Sequence, residues 1–155
     1  MSKIIEILNF EEGYREAPYW DTLGFPTVAG GIRIGPKGAP LANYTFTVPR
    51  SVGDAWKRCL VDAKSAAMNR QPTIAAALAQ CNDARRDILS SMAYQLGVNG
   101  LAEFKKTLVL VAAGNFSGAS PEMLNSLWAR QTRGRSRRHS EVMRSGTYDA
   151  YKGLI

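Results

Sequence analysis

The chain has 155 residues, enough for one domain with a sizeable core, possible as two lobes. With 45% hydrophobic and 21% charged residues it has the composition of an ordinary globular protein. Twenty Lys and Arg against 13 Asp and Glu leave a formal charge of +7. That favours an anionic partner such as nucleic acid, lipopolysaccharide, teichoic acid or peptidoglycan carboxylates, without choosing among them. The longest apolar runs, such as residues 108–113, are far too short to cross a bilayer. Residues 1–10 lack the continuous apolar stretch and small-residue cleavage site of a secretory signal, so the chain is expected to be made and held in the cytoplasm. Cys59 and Cys81 lie in helical patterns and read as reduced core residues, and with a single histidine, His139, no zinc site or other metal site is expected.

Taken in order, Ser2 is placed to cap a first helix whose apolar residues Ile4, Ile5 and Leu8 recur at helical spacing. Glu12 continues that stripe, Glu11 falls at its edge, and Gly13 supplies the left-handed residue that commonly ends a helix. Residues 14–35 read as short strands at Tyr19-Trp20 and Thr27-Val28 around a turn over Thr22, Leu23 and Gly24. Pro18 and Pro26 limit the strands to edges or irregular positions. Gly30, Gly31, Gly35 and Gly38, with Pro36 and Pro40, make the following stretch turn-rich; no phosphate-loop Gly-Lys-Ser/Thr pattern accompanies them.

Ser51 and Asp54 have capping-box spacing, predicting a helix through Trp56, Cys59, Leu60, Ala63 and Ala67 that ends near Asn69, before Pro72. The rest reads as helical: residues 74–79, 84–96, 101–113 and 121–131, punctuated by Gly97, Gly100, Gly114 and Gly118. The basic run 133–139 (Arg-Gly-Arg-Ser-Arg-Arg-His) could serve as an RNA-binding arm, but a solvated helical face explains such runs more often; His139 reads as a surface residue. No internal repeat or linker is present.

The chemistry-bearing stretch is residues 10–31. Glu12, Asp21 and Thr27 stand nine and six residues apart, so a helix end and a hairpin can bring two carboxyl groups to face each other. Two opposed carboxyls across a groove are what glycosidic bond cleavage needs: one donates a proton, the other handles water or the sugar cation. Burial disfavours the charged form of a carboxyl, and a general acid must hold its proton. Two solvated glutamates at a helix end remain the plainer reading of Glu11 and Glu12.

The run Glu12-Gly13, then Tyr19-Trp20-Asp21-Thr22-x-Gly24-x-x-Thr27, resembles the catalytic signature of the phage-type, T-even-like lysozymes or endolysins of glycoside hydrolase family 24. Met92-Ala93-Tyr94-Gln95-Leu96-Gly97, then Trp128-x-x-Gln131-Thr132-x-x-Arg135, then Gly146-Thr147-Tyr148-Asp149-Ala150-Tyr151-Lys152 follow in that family's order. The resemblance implies an α+β, mainly α, lysozyme-like fold. A small β-containing lobe (13–50) and a larger helical lobe (70–155) would be joined by a long helix (51–69), with a cleft between them and the first helix (1–12) packing on the helical lobe.

It further implies hydrolysis of the β-1,4 bond between N-acetylmuramic acid and N-acetylglucosamine in bacterial peptidoglycan. Glu12 would be the general acid, Asp21 the carboxylate that orients or deprotonates the attacking water, and Thr27 the hydroxyl holding that water, with inversion at the anomeric carbon. Gln95 and Gln131 become candidate sugar contacts or helix braces, and Arg135 a cleft arginine paired with the glutamate. The other arginines of the run are left to meet the anionic envelope. No cofactor is implied, nor a nucleic-acid partner; a monomer is expected, and its release would require a separate holin.

One departure stands out. The family pattern continues Ile-Gly-Ile-Gly-His, whereas this chain reads Val28-Ala29-Gly30-Gly31-Ile32, with Arg33 one position beyond the missing histidine. Because that histidine braces the small lobe, the change is expected to bear on lobe structure more than on catalysis. The resemblance is thin over residues 35–49. Competing readings are a tail-associated cell-puncturing lysozyme, which the chain length and lack of a fibrous partner segment disfavour, and a non-catalytic protein binding peptidoglycan or nucleic acid.

Overall fold

The computed structural model describes residues 1–155. It is mostly helical with one small antiparallel sheet, in the order α1 (Ile4–Glu12), β1 (Arg15–Trp20), β2 (Pro26–Ala29), β3 (Ile32–Arg33), α2 (Arg50–Arg70), α3 (Pro72–Ala79), α4 (Asp83–Ala102), α5 (Lys105–Ala112), α6 (Phe116–Leu124), α7 (Leu127–Gln131) and α8 (Arg133–Ser145). The chain forms two compact units, one of residues Ile5–Leu60 and one of Met1–Ile4 with Val61–Ile155. No helix is long and apolar enough to cross a membrane.

In the unit Ile5–Leu60, α1 ends where Gly13 takes a φ of +71°, as its position predicted. The chain then enters a three-stranded sheet of order β1-β2-β3. Pro18 falls where the β1–β2 register shifts between Arg15 and Tyr19, and Pro26 opens β2, where a missing amide costs no ladder bond. A small core of Val28, Ala29, Ile32 and Val48 is covered by Tyr14, Ile34 and Leu60. Tyr14 locks the start of α2 to the sheet by placing its hydroxyl 2.8 Å from both the Val48 and Pro49 carbonyls. A Cβ on Gly53 would lie 2.2 Å from that hydroxyl, so only glycine fits there. Residues 35–49 are irregular apart from a short 3-10 turn at Leu41–Asn43.

The expected capping box does not form. Helix α2 begins at Arg50, ahead of Ser51, with the Val52 and Gly53 amides donating to the Pro49 carbonyl. Asp54 is instead engaged by the Asn9 amide at 2.9 Å and lies 3.5 Å from the Arg50 guanidinium. The helix runs to Arg70, one residue past the predicted end.

In the helical unit, α6 packs on α5 and α8, and α5 on α3. The expected break at Gly97 is present as a kink in α4, where Gly97 takes φ +78° and ψ +162°; a short helical segment then runs to Ala102, and α5 starts only at Lys105. The segment predicted as 121–131 is two helices. Helix α6, capped by Asn115, starts at Phe116, five residues earlier than expected, with Pro121 inside it, and Ser126 caps a new turn by accepting from the Ala129 amide.

Two further expectations fail in this unit and one in the other. His139 is fully buried, not on the surface. Its Nε2 lies 2.8 Å from the Ser91 hydroxyl and its Nδ1 2.9 Å from the Tyr151 hydroxyl. The solvated face of α8 carries Arg133 and Arg137, while Arg135, Ser136, His139, Ser140, Val142 and Met143 face inward. Asp87 anchors the N-terminal residues, accepting from the Ser2 hydroxyl at 2.7 Å, the Lys3 amide at 2.6 Å and the Tyr148 hydroxyl at 2.6 Å. Both cysteines are free thiols, but only Cys81 is a core residue, with burial pushing its thiol up to about 11; Cys59 is exposed.

Candidate active site

Glu12 is the last residue of α1, half-buried, and its carboxylate lies against the β2–β3 turn. A Cβ added to Gly31 would sit 3.2 Å from Glu12 Oε2, and Gly31 has a φ of +81°. Glycine at 31 therefore serves twice: it permits the turn and lets the backbone approach the carboxylate. Its neighbour Gly30 rests on another charge. A Cβ there would stand 1.7 Å from the ammonium of Lys57, a fully buried α2 residue that donates to Asn9 Oδ1 at 2.7 Å.

Asp21 follows β1 and is held by its own turn. Its Oδ1 accepts from the Leu23 and Phe25 amides, each at 2.9 Å, while its backbone N–H donates to the Phe25 carbonyl at 2.9 Å. The short Asp side chain closes such turns by mimicking a backbone acceptor. Its second oxygen, Oδ2, lies 3.4 Å from Arg33 Nε. Burial works against the charge, but the Phe25 and Leu23 amides and the Arg33 cation outweigh it, leaving the carboxyl below its ordinary range and ionised at neutral pH.

Thr27 sits in β2, 2% exposed, and its hydroxyl donates to the Phe25 carbonyl at 2.9 Å. Phe25 thus joins Asp21 to Thr27 through its backbone. Across the sheet, Thr27 pairs with Tyr19 on one side and Arg33 on the other, which places the three in one row. Burial pushes the Tyr19 hydroxyl above the usual phenol range; Arg15, whose guanidinium lies 4.5 Å from the ring centroid, opposes this, and Glu12 and Asp21 both add to it. Tyr19 is therefore within electrostatic reach of both carboxyl groups, which border one region of this unit.

Sequence reasoning did not find Tyr19, Arg33 or Lys57 as parts of this arrangement. Tyr19 carried a signal, its position two residues before Asp21 in a strand that alternates faces. Lys57 carried none, since a lysine inside a helix is normally solvated. Arg33, which follows the position of the missing histidine, is set beside the Asp21 turn by β3.

The remaining candidates belong to the helical unit. Gln95 is exposed and accepts from Trp128 Nε1 at 2.8 Å, bracing α4 to α7. Gln131 is exposed at the end of α7. Arg135 is buried and donates through Nη2 to the Ser91 hydroxyl at 2.9 Å and carbonyl at 3.2 Å. No group of three His, Cys, Asp or Glu side chains is placed to hold a metal ion.

No protein-family model matches the chain. It is similar to Probable T4-type lysozyme 1 of Dictyostelium discoideum, 28% identical over 98% of this chain and 99% of that protein. Probable T4-type lysozyme 2 of the same organism is 27% identical with the same coverage. The pre-baseplate central spike protein Gp5 of Enterobacteria phage T4 is 28% identical over 94% of this chain, which spans 28% of Gp5.

Proposed function

We propose that the chain, similar to T4-type lysozymes over nearly its whole length, is a lysozyme-class glycoside hydrolase acting as a peptidoglycan muramidase, and that it cleaves the β-1,4 bond between N-acetylmuramic acid and N-acetylglucosamine with inversion. The observation that carries this assignment is the different setting of two carboxyls around Tyr19: Asp21 is fixed as a carboxylate by two amides and Arg33, while Glu12 arrives on a separate element, the end of α1. Glu12 donates a proton to the leaving glycosidic oxygen. Asp21 orients the attacking water and takes up its proton as the anomeric carbon–oxygen bond forms. The Thr27 hydroxyl spends its proton on the Phe25 carbonyl, so its lone pairs are what it offers that water. An inverting pair stands roughly 6.5–9.5 Å apart, leaving room for the water.

Gln95 and Gln131, both exposed, are the proposed sugar contacts of the helical unit. The exposed Arg133 and Arg137 of α8 would hold the enzyme to the anionic envelope. In a lytic cycle the chain would wait in the host cytoplasm and reach the wall when a holin opens the membrane. The similarity to Gp5 over 94% of this chain favours a second reading, a wall-penetrating role at a phage tail. Detection of the chain in purified virions would support the tail role; its presence only in the infected-cell lysate would support the endolysin role.

The decisive experiment is digestion of purified cell walls. Muramidase cleavage leaves new N-acetylmuramic acid reducing ends, and NMR of fresh product reports the anomer formed. Fragments ending in N-acetylglucosamine would overturn the bond assignment, and a product keeping the β configuration would overturn inversion.

A further inference from the structure

Arg33 is poised to do more than close a short strand. It stands opposite Thr27 in the β2–β3 ladder, its guanidinium lies 3.9 Å from the Phe25 ring centroid, and its Nε faces Asp21 Oδ2 at 3.4 Å. Phe25 holds the other side of the same arrangement: its amide donates to Asp21 Oδ1 and its carbonyl accepts from both the Asp21 amide and the Thr27 hydroxyl. A planar guanidinium stacked on a ring loses much of its freedom, so it presents Nε in a fixed direction. Asp21 is thereby gripped at both oxygens, by backbone donors at one and a stacked cation at the other.

We propose that Arg33 is a positioning residue for Asp21, fixing the direction and charge of the carboxylate that handles the attacking water. The inference rests on the muramidase reading and adds a residue to it. Without Arg33 the Leu23 and Phe25 amides would still hold Oδ1, but nothing would stop Oδ2 from turning about that anchor or make its negative charge as favourable. The groups facing Asp21 are few enough for the effect to be read. They are Arg33 on β3 and Tyr19 on β1, with Glu12 on α1 acting on the same tyrosine and Lys37 laying its stem against Gly24 in the turn. Of these, Arg33 is the cation in contact with the carboxylate.

Two variants of the full chain test this. Arg33→Leu keeps an apolar contact with Phe25 and removes the charge; Arg33→Lys restores the charge without the planar stack. The Arg33 side chain is 52% exposed, so both variants are expected to fold, and melting curves check that. The carbon NMR titration of the Asp21 carboxyl is expected to move up by about half a pH unit in Arg33→Leu. The move is modest because the pair is partly solvated and the two amides remain. The acid limb of kcat/KM on soluble glycan fragments is expected to follow by the same amount, with kcat lowered several-fold, KM little changed, and Arg33→Lys in between.

An Asp21 titration unchanged in Arg33→Leu would overturn the contact while leaving the muramidase reading intact. A titration that moves without the acid limb would overturn the positioning role and make Arg33 a brace of the hairpin. A wild-type protein that titrates as expected but releases no muramic acid reducing ends would overturn both the positioning role and the parent reading.

Discussion

The ammonium of Lys57 occupies the space beneath Gly30 so closely that a Cβ at residue 30 would stand 1.7 Å from it. The next residue, Gly31, lies in the same way against the carboxylate of Glu12. One turn of backbone is thus pressed between a buried cation and the proposed catalytic acid, and two adjacent glycines are the sequence trace of it.

Gly30→Ala is therefore expected to destabilise the protein by about 2–3 kcal/mol, the cost of overpacking where the neighbour cannot leave. Gly38→Ala measures backbone strain by itself, because Gly38 has a positive φ, +79°, which Gly30 does not, and nothing lies within 4 Å of an added Cβ there. Shortening Lys57 to Ala in the Gly30→Ala background should cost less than the two single changes added together. Urea unfolding of the four proteins measures this; strict additivity would mean that the two residues do not compete for space.

For the catalytic set, Glu12→Gln keeps the size of the side chain but removes the transferable proton, so wall lysis should fall to near background. Glu11→Gln should leave most activity in place. Asp21→Asn should be as severe, since an amide cannot take a proton from water and turns a donor toward Arg33. Thr27→Val keeps the buried shape, and the Phe25 carbonyl retains the Asp21 amide, so activity should drop with little loss of stability. Turbidity, thermal melts and circular dichroism on the same samples decide the matter, and a folded, fully lytic Glu12→Gln would remove the proposed acid.

His139 gives the stability a pH dependence. Burial first, then the Arg135 and Arg138 charges, hold its folded-state pKa well below the ordinary value of 6.5. The unfolded chain therefore binds the proton first, and stability present above pH 6.5 is lost as the pH falls from there toward the folded-state value. The slope should approach 1.4 kcal/mol per pH unit, as an order of magnitude. Asp87, pushed up mainly by burial, acts in the opposite sense but only in the more acidic carboxylate range. Melting temperatures between pH 7.5 and 5 should decline for the wild type and run flat for His139→Gln. Parallel curves would place the titration elsewhere.

The exposed arginines of α8 make a separable prediction. Lysis of whole walls should weaken as salt rises, because solvated charges are screened. Replacing Arg133 and Arg137 with Gln should raise the wall concentration needed for half-maximal rate and leave turnover of a soluble glycan fragment unchanged. Arg138 is best left in place, since its guanidinium lies 5.8 Å from the Tyr151 ring centroid and contributes to packing. Loss of the soluble-substrate rate in the double variant would move these arginines into the active site.

Much of the fold is legible because local signals decide it. Gly13 ends α1, the Asp21–Gly24 turn separates β1 from β2, and Pro72 limits α2, each through backbone preferences that act within a few residues. Where caps compete, the local reading fails: the Pro49 carbonyl starts α2 before Ser51 can cap it, and Ser126 divides a segment that periodicity alone makes continuous. Cys59 and Cys81 both read as core residues of helices, yet Cys59 is exposed on α2 and Cys81 is buried in the connection between α3 and α4, because a wheel fixes which residues share a face and not what covers that face.

The sequence by itself carried the resemblance to T4-type lysozymes, much of the order of the elements and the proposal of the Glu12, Asp21 and Thr27 set, since spaced motifs and turn residues are properties of the chain alone. Tertiary structure decided the partners. Arg33 meets Asp21 because β3 folds back beside the Asp21 turn, Lys57 lies buried because α1 and the β2–β3 turn close over it, and His139 loses its solvent to Ser91 and Tyr151. Each depends on residues distant in the chain, and burial or charge pairing is a property of the neighbours that folding supplies, which residue type and spacing do not carry.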